Sequence, residues 1–203
     1  EKAELKDNRH LATENSEYEA RFVLIATGSL PYELPNIKFD GKDILSSSDM
    51  LALQEVPKSI IIVGGGVIGC EFASIFREFG SEISIVEMMD RLLPAEDKEI
   101  SKKLEQLFRK SGIKVHTNTK IEKIEKTSDG LKTQLSNGEI ISGEKALISV
   151  GRTPNSKGIG LEKAGIESDK KGWVKVDKSF RTNVENIYAA GDVKGGILLA
   201  HVA

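Results

Sequence analysis

The 203-residue sequence has a single cysteine, Cys70. One thiol excludes an intrachain disulfide and any structural zinc site built on paired cysteines, and no metal site is expected. Cysteine this sparse is the usual pattern of a reducing compartment, so the expected address is the cytosol, or an organelle matrix such as the mitochondrial matrix. An excess of either charge is missing too. Twenty-nine basic against 31 acidic side chains give a formal net charge of −2, which removes the electrostatic case for nucleic acid or an anionic membrane as a partner. Long apolar runs are absent, and one such as Ile60 to Val63 is far short of the roughly 20 residues that cross a bilayer. The sequence opens at Glu1, without an initiator methionine and without a signal-peptide or transit-like pattern, and His201-Val202-Ala203 carries no turn or cap signal, so both ends are expected to be cut. What remains, 39% hydrophobic and 30% charged, suits a globular chain of one large domain or two small ones.

Hydropathy patterning predicts strands over 9–13 and 20–26 joined by the turn Glu14-Asn15-Ser16, the second apolar at consecutive positions and so expected to be buried on both faces. Ser46 to Asp49 supply N-cap residues for a short helix near 49–54. Ile60 to Val63 then reads as a buried strand ending at Gly64-Gly65-Gly66. Ile68, Phe72, Ile75, Phe76 and Phe79 follow at helical spacing and stop at Gly80. A strand at 82–86, a helix carrying Ile100, Leu104, Leu107 and Phe108 up to Gly112, and a strand at 113–116 complete a right-handed parallel βαβαβ half. Runs at 119–125, 131–135 and 139–142, parted by Ser128-Asp129-Gly130 and Asn137-Gly138, predict an antiparallel meander in place of a third helix, and 146–150 a buried return strand. The expected class is α/β, a Rossmann-like parallel sheet with a β-meander crossover and flanking partial strands.

One pattern recurs. Leu24-Ile25-Ala26-Thr27-Gly28-Ser29-Leu30-Pro31 and Leu147-Ile148-Ser149-Val150-Gly151-Arg152-Thr153-Pro154 share Leu-Ile-x-x-Gly-x-x-Pro at a separation of 123 residues. The later copy closes a unit whose glycine-rich loop is visible. The earlier copy is expected to close a similar unit whose glycine loop lies upstream of Glu1.

Gly64-Gly65-Gly66-Val67-Ile68-Gly69 satisfies Gly-x-Gly-x-x-Gly, follows a strand and opens a helix, and Glu87 stands 18 residues beyond Gly69 at the end of the next strand. Together these make the dinucleotide fingerprint, although a plain helix-entry loop would share the glycines. Gly64 permits the tight turn, Gly66 the approach of backbone to a pyrophosphate, and Gly69 the packing of helix on strand. Glu87 can accept hydrogen bonds from ribose hydroxyls and repel a 2′-phosphate, which favours NAD(H) over NADP(H). Arg91 is the nearby cation that could rescue the phosphate. Cys70, in the first helical turn, could be a thiolate favoured by the helix dipole or an inert thiol packed on the sheet, and the packed reading is preferred.

Ile25-Ala26-Thr27-Gly28, the fingerprint, Gly151-Arg152-Thr153-Pro154-Asn155 and Tyr188-Ala189-Ala190-Gly191-Asp192, in that order, resemble the pyridine-nucleotide disulfide oxidoreductase flavoproteins. Gly69-Cys70-Glu71-Phe72-Ala73, Val86-Glu87-Met88-Met89-Asp90-Arg91-Leu92-Leu93-Pro94 and Leu198-Leu199-Ala200-His201 resemble their dihydrolipoamide dehydrogenase branch most. The resemblance implies that Gly64, Gly65, Gly66, Val67, Ile68, Gly69, Cys70, Glu71, Glu87, Ile121 and Gly151 line NAD. It implies that Thr27, Gly28, Ser29, Asp192, Leu198, Leu199, Ala200 and His201 line FAD. Glu71 is implied to support catalysis near the flavin through a lysine outside this sequence; a solvated helix carboxylate is the plain alternative.

The family's redox-active cysteine pair and its C-terminal His-Glu pair are not in this sequence. The parent is therefore expected to be an FAD-dependent enzyme passing hydride between NAD and flavin and exchanging electrons with dihydrolipoamide through a disulfide outside the chain. By the same resemblance it would be a homodimer serving the lipoyl domains of 2-oxo acid dehydrogenase complexes. Residues 1–45 and 154–203 are expected to be partial FAD-binding segments and 46–153 the NAD-binding domain. The alternatives are another disulfide or mercuric-ion reductase, or a dinucleotide-binding module without turnover, and the module is the expectation for this fragment alone.

Overall fold

A computed structural model describes residues 1–202, which form two units, Pro31–Gly151 and, separately, Glu1–Leu30 with residues 152–202. Both breaks fall inside the two copies of the repeated pattern.

In the first unit five parallel strands lie in the order Ile44–Leu45, Lys145–Ile148, Ser59–Val63, Glu82–Val86, Lys114–His116. Successive side chains of a strand point to opposite faces, so the run Ile60 to Val63 serves two cores at once. Ile60, Ile62, Ile83, Ile85 and Leu147 pack with Phe72, Ala73 and Phe76 of the helix Val67–Glu78 and with Phe108 of the helix Lys98–Lys110. Ile61, Val63, Val86, Ala146 and Ile148 pack with Leu131, Leu135 and Ile141. Those last three belong to the antiparallel meander Ile121–Thr127, Gly130–Leu135 and Ile140–Gly143, which stands where a third helix would otherwise cross. Residues 31–45, read from the sequence with the N-terminal segment, sit in this unit because Ile44 and Leu45 pair in parallel with Ala146 and Leu147. The α/β class and the meander are as expected.

The second unit holds a small antiparallel sheet, Glu4–Leu5, His10–Ala12 and Glu17–Glu19, and a parallel pair, Val23–Ile25 with Ile187–Ala189. Its core gathers Leu5, Ile25, Leu161, Ile166, Val174, Ile187 and Val193.

Several local expectations need correction. The strand at His10–Ala12 turns into Glu17–Glu19, not into the apolar run at 23–25; Glu17-Tyr18-Glu19 is fully exposed and carries no hydrophobic alternation to announce it. Leu24 is exposed, not buried, because the Val23–Ile25 strand has a packed layer on one face only. The short helix is Ser47–Leu51, two residues earlier than expected, since Ser46 is its cap: the Ser46 Oγ accepts from Asp49 N, and the Asp49 carboxylate accepts from Ser46 N in return. Ile75 on one long helix and Phe79 at its C-cap, and Ile100 and Leu107 on the other helix, face solvent although they continue the apolar stripes. The covered stripe is narrower than the periodicity suggests.

Candidate functional site

The glycine loop sits at the carboxyl ends of the parallel strands, where open α/β sheets bind ligands. Gly64 has φ +103°, a left-handed conformation that favours glycine, and a Cβ there would meet the Ser149 carbonyl oxygen at 2.5 Å. At Gly69 a Cβ would meet the Gly64 carbonyl oxygen at 2.0 Å, so the helix can lie this close to the strand only with glycine. Gly66 differs from both. It is the N-cap of the helix Val67–Glu78, no side chain caps that terminus, and nothing lies within 4 Å of the position its Cβ would take. The first-turn N–H groups and the positive end of the helix dipole thus face open space, as a pyrophosphate cradle requires.

Glu87, 7% exposed, stands beside this loop. Its Oε2 accepts from Gly65 N at 2.6 Å and its Oε1 from Met89 N at 2.7 Å, so the carboxylate braces the loop. An ionised carboxylate has about four lone-pair sites, and two remain for ribose hydroxyls. The segment leading to Ile121 is tied to the same place: Glu87 N donates to His116 O at 2.8 Å, Thr119 N to Glu87 O at 3.0 Å and Asn118 N to Met89 O at 2.8 Å. Ile121 itself is half-buried against the meander core. Ser149 Oγ donates to the carbonyls of Val63 and Gly64 at 3.0 and 3.2 Å, and Gly151, exposed with φ +137°, lies two residues on. Val67 is exposed and Ile68 half-buried at the start of the helix. The structure therefore brings the glycine loop, Glu87, the approach to Ile121 and the Ser149–Gly151 turn together in one unit.

Cys70 is buried, and its Sγ donates to the Gly65 carbonyl at 3.4 Å. Burial, reinforced by the negative charges of Glu87 and Glu71, pushes this thiol up to about 12, so it stays protonated at neutral pH and is no nucleophile. Glu71 is exposed on the same helix.

In the other unit a second polar cluster forms. Ser29 Oγ donates to Asp192 Oδ2 at 2.5 Å; Arg152 Nε donates to Ser29 Oγ at 2.6 Å and Arg152 Nη2 to the Ser29 carbonyl at 2.7 Å. Asn155 N reaches Gly28 O at 2.9 Å and Asn155 Nδ2 reaches Thr27 O at 3.1 Å. Thr27 itself is exposed. Leu198 is half-buried, while Leu199, Ala200 and His201 form a separate exposed stretch. Sequence reasoning missed one residue in each unit. Ser149, which holds the Val63 and Gly64 carbonyls, and Arg152, which holds Ser29, passed as letters of a repeated pattern; for Arg152 a guanidinium beside a glycine turn was the available signal.

The fold is that of an α/β protein with a Rossmann-like parallel sheet, and the chain belongs to the pyridine nucleotide-disulphide oxidoreductase family, whose profile matches residues 1–203. It is 48% identical over 186 residues to a dihydrolipoyl dehydrogenase of Bacillus subtilis, covering 89% of this chain and 39% of the relative. It is 40% identical over 195 residues to a mitochondrial dihydrolipoyl dehydrogenase of Pisum sativum, covering 94% of this chain and 39% of the relative. Among solved structures, the HOCl-induced flavoprotein disulfide reductase RclA of Escherichia coli matches with a TM-score of 0.92 at 31% identity, over 99% of this chain and 46% of that one. The chain thus spans less than half the length of these relatives.

Proposed function

We propose that the chain is the NAD(H)-holding part of a flavin-dependent dihydrolipoyl dehydrogenase, with Pro31–Gly151 as its NAD domain and the other unit as two strips of its FAD domain. The observation that carries this reading is the uncapped helix terminus at Gly66, open to a ligand and braced by a buried carboxylate. When bound, NAD(H) gives or takes a hydride at the flavin, which in the whole enzyme exchanges electrons with dihydrolipoamide through a disulfide. This chain's residues do the holding. First-turn N–H groups would donate to the pyrophosphate, Glu87 would accept from the ribose hydroxyls, and Ile121 and Gly151 flank the same end of the sheet. Asp192, fixed by Ser29 and Arg152, would present a carboxylate to the polar chain of FAD beside Thr27 and Gly28, and by the resemblance the separate stretch Leu198 to His201 would face the flavin ring. Glu71, reaching out from the helix that begins at the pyrophosphate, supports the flavin's surroundings from the side of the nicotinamide. By the family resemblance the whole protein would serve the lipoyl domains of 2-oxo acid dehydrogenase complexes as a homodimer, in cytoplasm or in the mitochondrial matrix, the Pisum sativum relative being named mitochondrial. Among the described residues no helix is long and apolar enough to cross a membrane.

The 31% identity to RclA favours a second reading, a different flavoprotein disulfide reductase with the same dinucleotide unit. Calorimetric titration of the chain with NADH and NADPH tests what the two readings share. NADH is expected to bind more tightly, and Glu87→Ala is expected to narrow the gap; equal affinities in the unaltered chain would remove Glu87 from its role.

A further inference from the structure

Arg91 is the only cation between Glu87 and Asp97. It lies on the loop that follows Glu87, and that loop is fastened to the glycine turn at both ends: Gly65 N donates to Glu87 Oε2 at 2.6 Å, and Leu93 N donates to Gly65 O at 2.8 Å. Arg91 is therefore held within a few residues of the ribose end of the site. Its guanidinium does not face that end freely. Nη1 donates to Asp90 Oδ1 at 2.9 Å and Nη2 to the Pro94 carbonyl at 2.9 Å, while Nε is buried with no partner.

We propose that Asp90 is a specificity-determining residue, which by holding Arg91 against the Pro94 carbonyl withholds from the ribose side the one cation of this loop, a fork suited to a 2′-phosphate. The proposal rests on the dinucleotide reading above. A guanidinium is a fork of five donors suited to bidentate phosphate binding. Here two of the five are occupied by a neighbouring carboxylate and a backbone carbonyl, and the buried Nε–H has no partner, a state that a doubly charged phosphate would improve. Asp90 opposes that exchange in two ways. It competes for the guanidinium, and it adds a second negative charge to that of Glu87 where the phosphate would arrive. Glu87 supplies the attraction for free hydroxyls, and the Asp90 tether removes the means of compensating a phosphate.

Calorimetry on the 203-residue chain separates these effects. The ratio of NADPH to NADH affinity is expected to rise about tenfold in Asp90→Ala, the scale of one charge-assisted bond gained by the phosphate. Most of that gain should disappear in Asp90→Ala/Arg91→Ala. Asp90 is 64% exposed at its side chain, so the variants are expected to fold, and circular dichroism verifies it. An unchanged ratio in Asp90→Ala overturns the proposal, and so does a gain fully kept in the double variant, which would assign it to the lost Asp90 charge alone. If the unaltered chain does not bind NADH, the dinucleotide reading falls and the proposal with it; if it binds NADH and only the ratio fails to move, the proposal alone falls.

Discussion

Leu24 and Leu147 hold the same position in the two copies of Leu-Ile-x-x-Gly-x-x-Pro, yet Leu147 is 0% exposed and Leu24 63%. The following residues agree better, Ile25 at 4% and Ile148 at 1%. Lys145–Ile148 lies inside a five-stranded sheet with helices on one face and the meander on the other, so both of its faces are covered. Val23–Ile25 pairs with a single strand and packs on one face, leaving Leu24 beside the exposed Phe22 and the half-buried Tyr188. A local pattern thus specifies a strand and its terminating glycine turn, while burial depends on how many layers the rest of the chain supplies.

The sharpest way to break this comparison is to truncate both leucines. Leu147→Ala should cost about 3 kcal/mol, the loss of a fully buried side chain plus the cavity left behind. Leu24→Ala should cost under about 0.5 kcal/mol, as an exposed substitution does. Urea unfolding monitored by circular dichroism measures both, and similar costs would mean that the Val23–Ile25 strand is covered in solution.

The glycine loop and the Ser29–Arg152–Asp192 cluster can be compared in the same spirit. Glu87→Ala orphans the N–H groups of Gly65 and Met89 and should destabilise the Pro31–Gly151 unit by about 2 kcal/mol as well as weakening NADH. Arg152→Ala leaves Ser29 and Asp192 hydrogen-bonded to each other at 2.5 Å and should lower stability by about 1 kcal/mol or less, without altering NADH affinity. Thermal unfolding together with NADH titration separates the two clusters. A loss of NADH binding in Arg152→Ala would contradict their independence.

The smallest effect concerns Cys70. Its acidity is lowered by burial, with the pKa raised to about 12, whereas a free thiol ionises near 8.5. The native thiol thus stays protonated where the unfolded one ionises, and this contribution to stability, complete below pH 8, is lost as pH rises toward 12. At pH 8.5 iodoacetamide should label Cys70 slowly in the native chain and readily in urea; equal rates would show the thiol to be accessible.

The parallel half, the meander with its Asn137-Gly138 turn, and the loop from Gly64 to Gly69 were legible because each rests on local chemistry: runs of β-branched residues, turn residues and glycine spacing. Glu87 was legible as an acid at the right distance, but its brace on Gly65 N–H was not, because that bond joins residues 22 apart in sequence. Arg152 escaped for a similar reason, since its partner Ser29 lies 123 residues away. Ile75, Phe79, Ile100 and Leu107 misled because periodicity marks the apolar stripe of a helix and not how much of it the sheet covers. The Glu17–Glu19 strand has one exposed aromatic, Tyr18, between two glutamates, too little to mark a strand, and forms by backbone pairing with His10–Ala12.

The most direct test of the central claim, that the helix terminus at Gly66 holds a dinucleotide, is an NADH titration of the chain and of Gly66→Ala. A methyl group there meets no protein atom within 4 Å and φ is −74°, so the fold should persist with an unchanged melting temperature. Because that space is where the pyrophosphate would approach the backbone, NADH affinity should fall by at least about tenfold. Equal NADH affinity in the two proteins would contradict the claim.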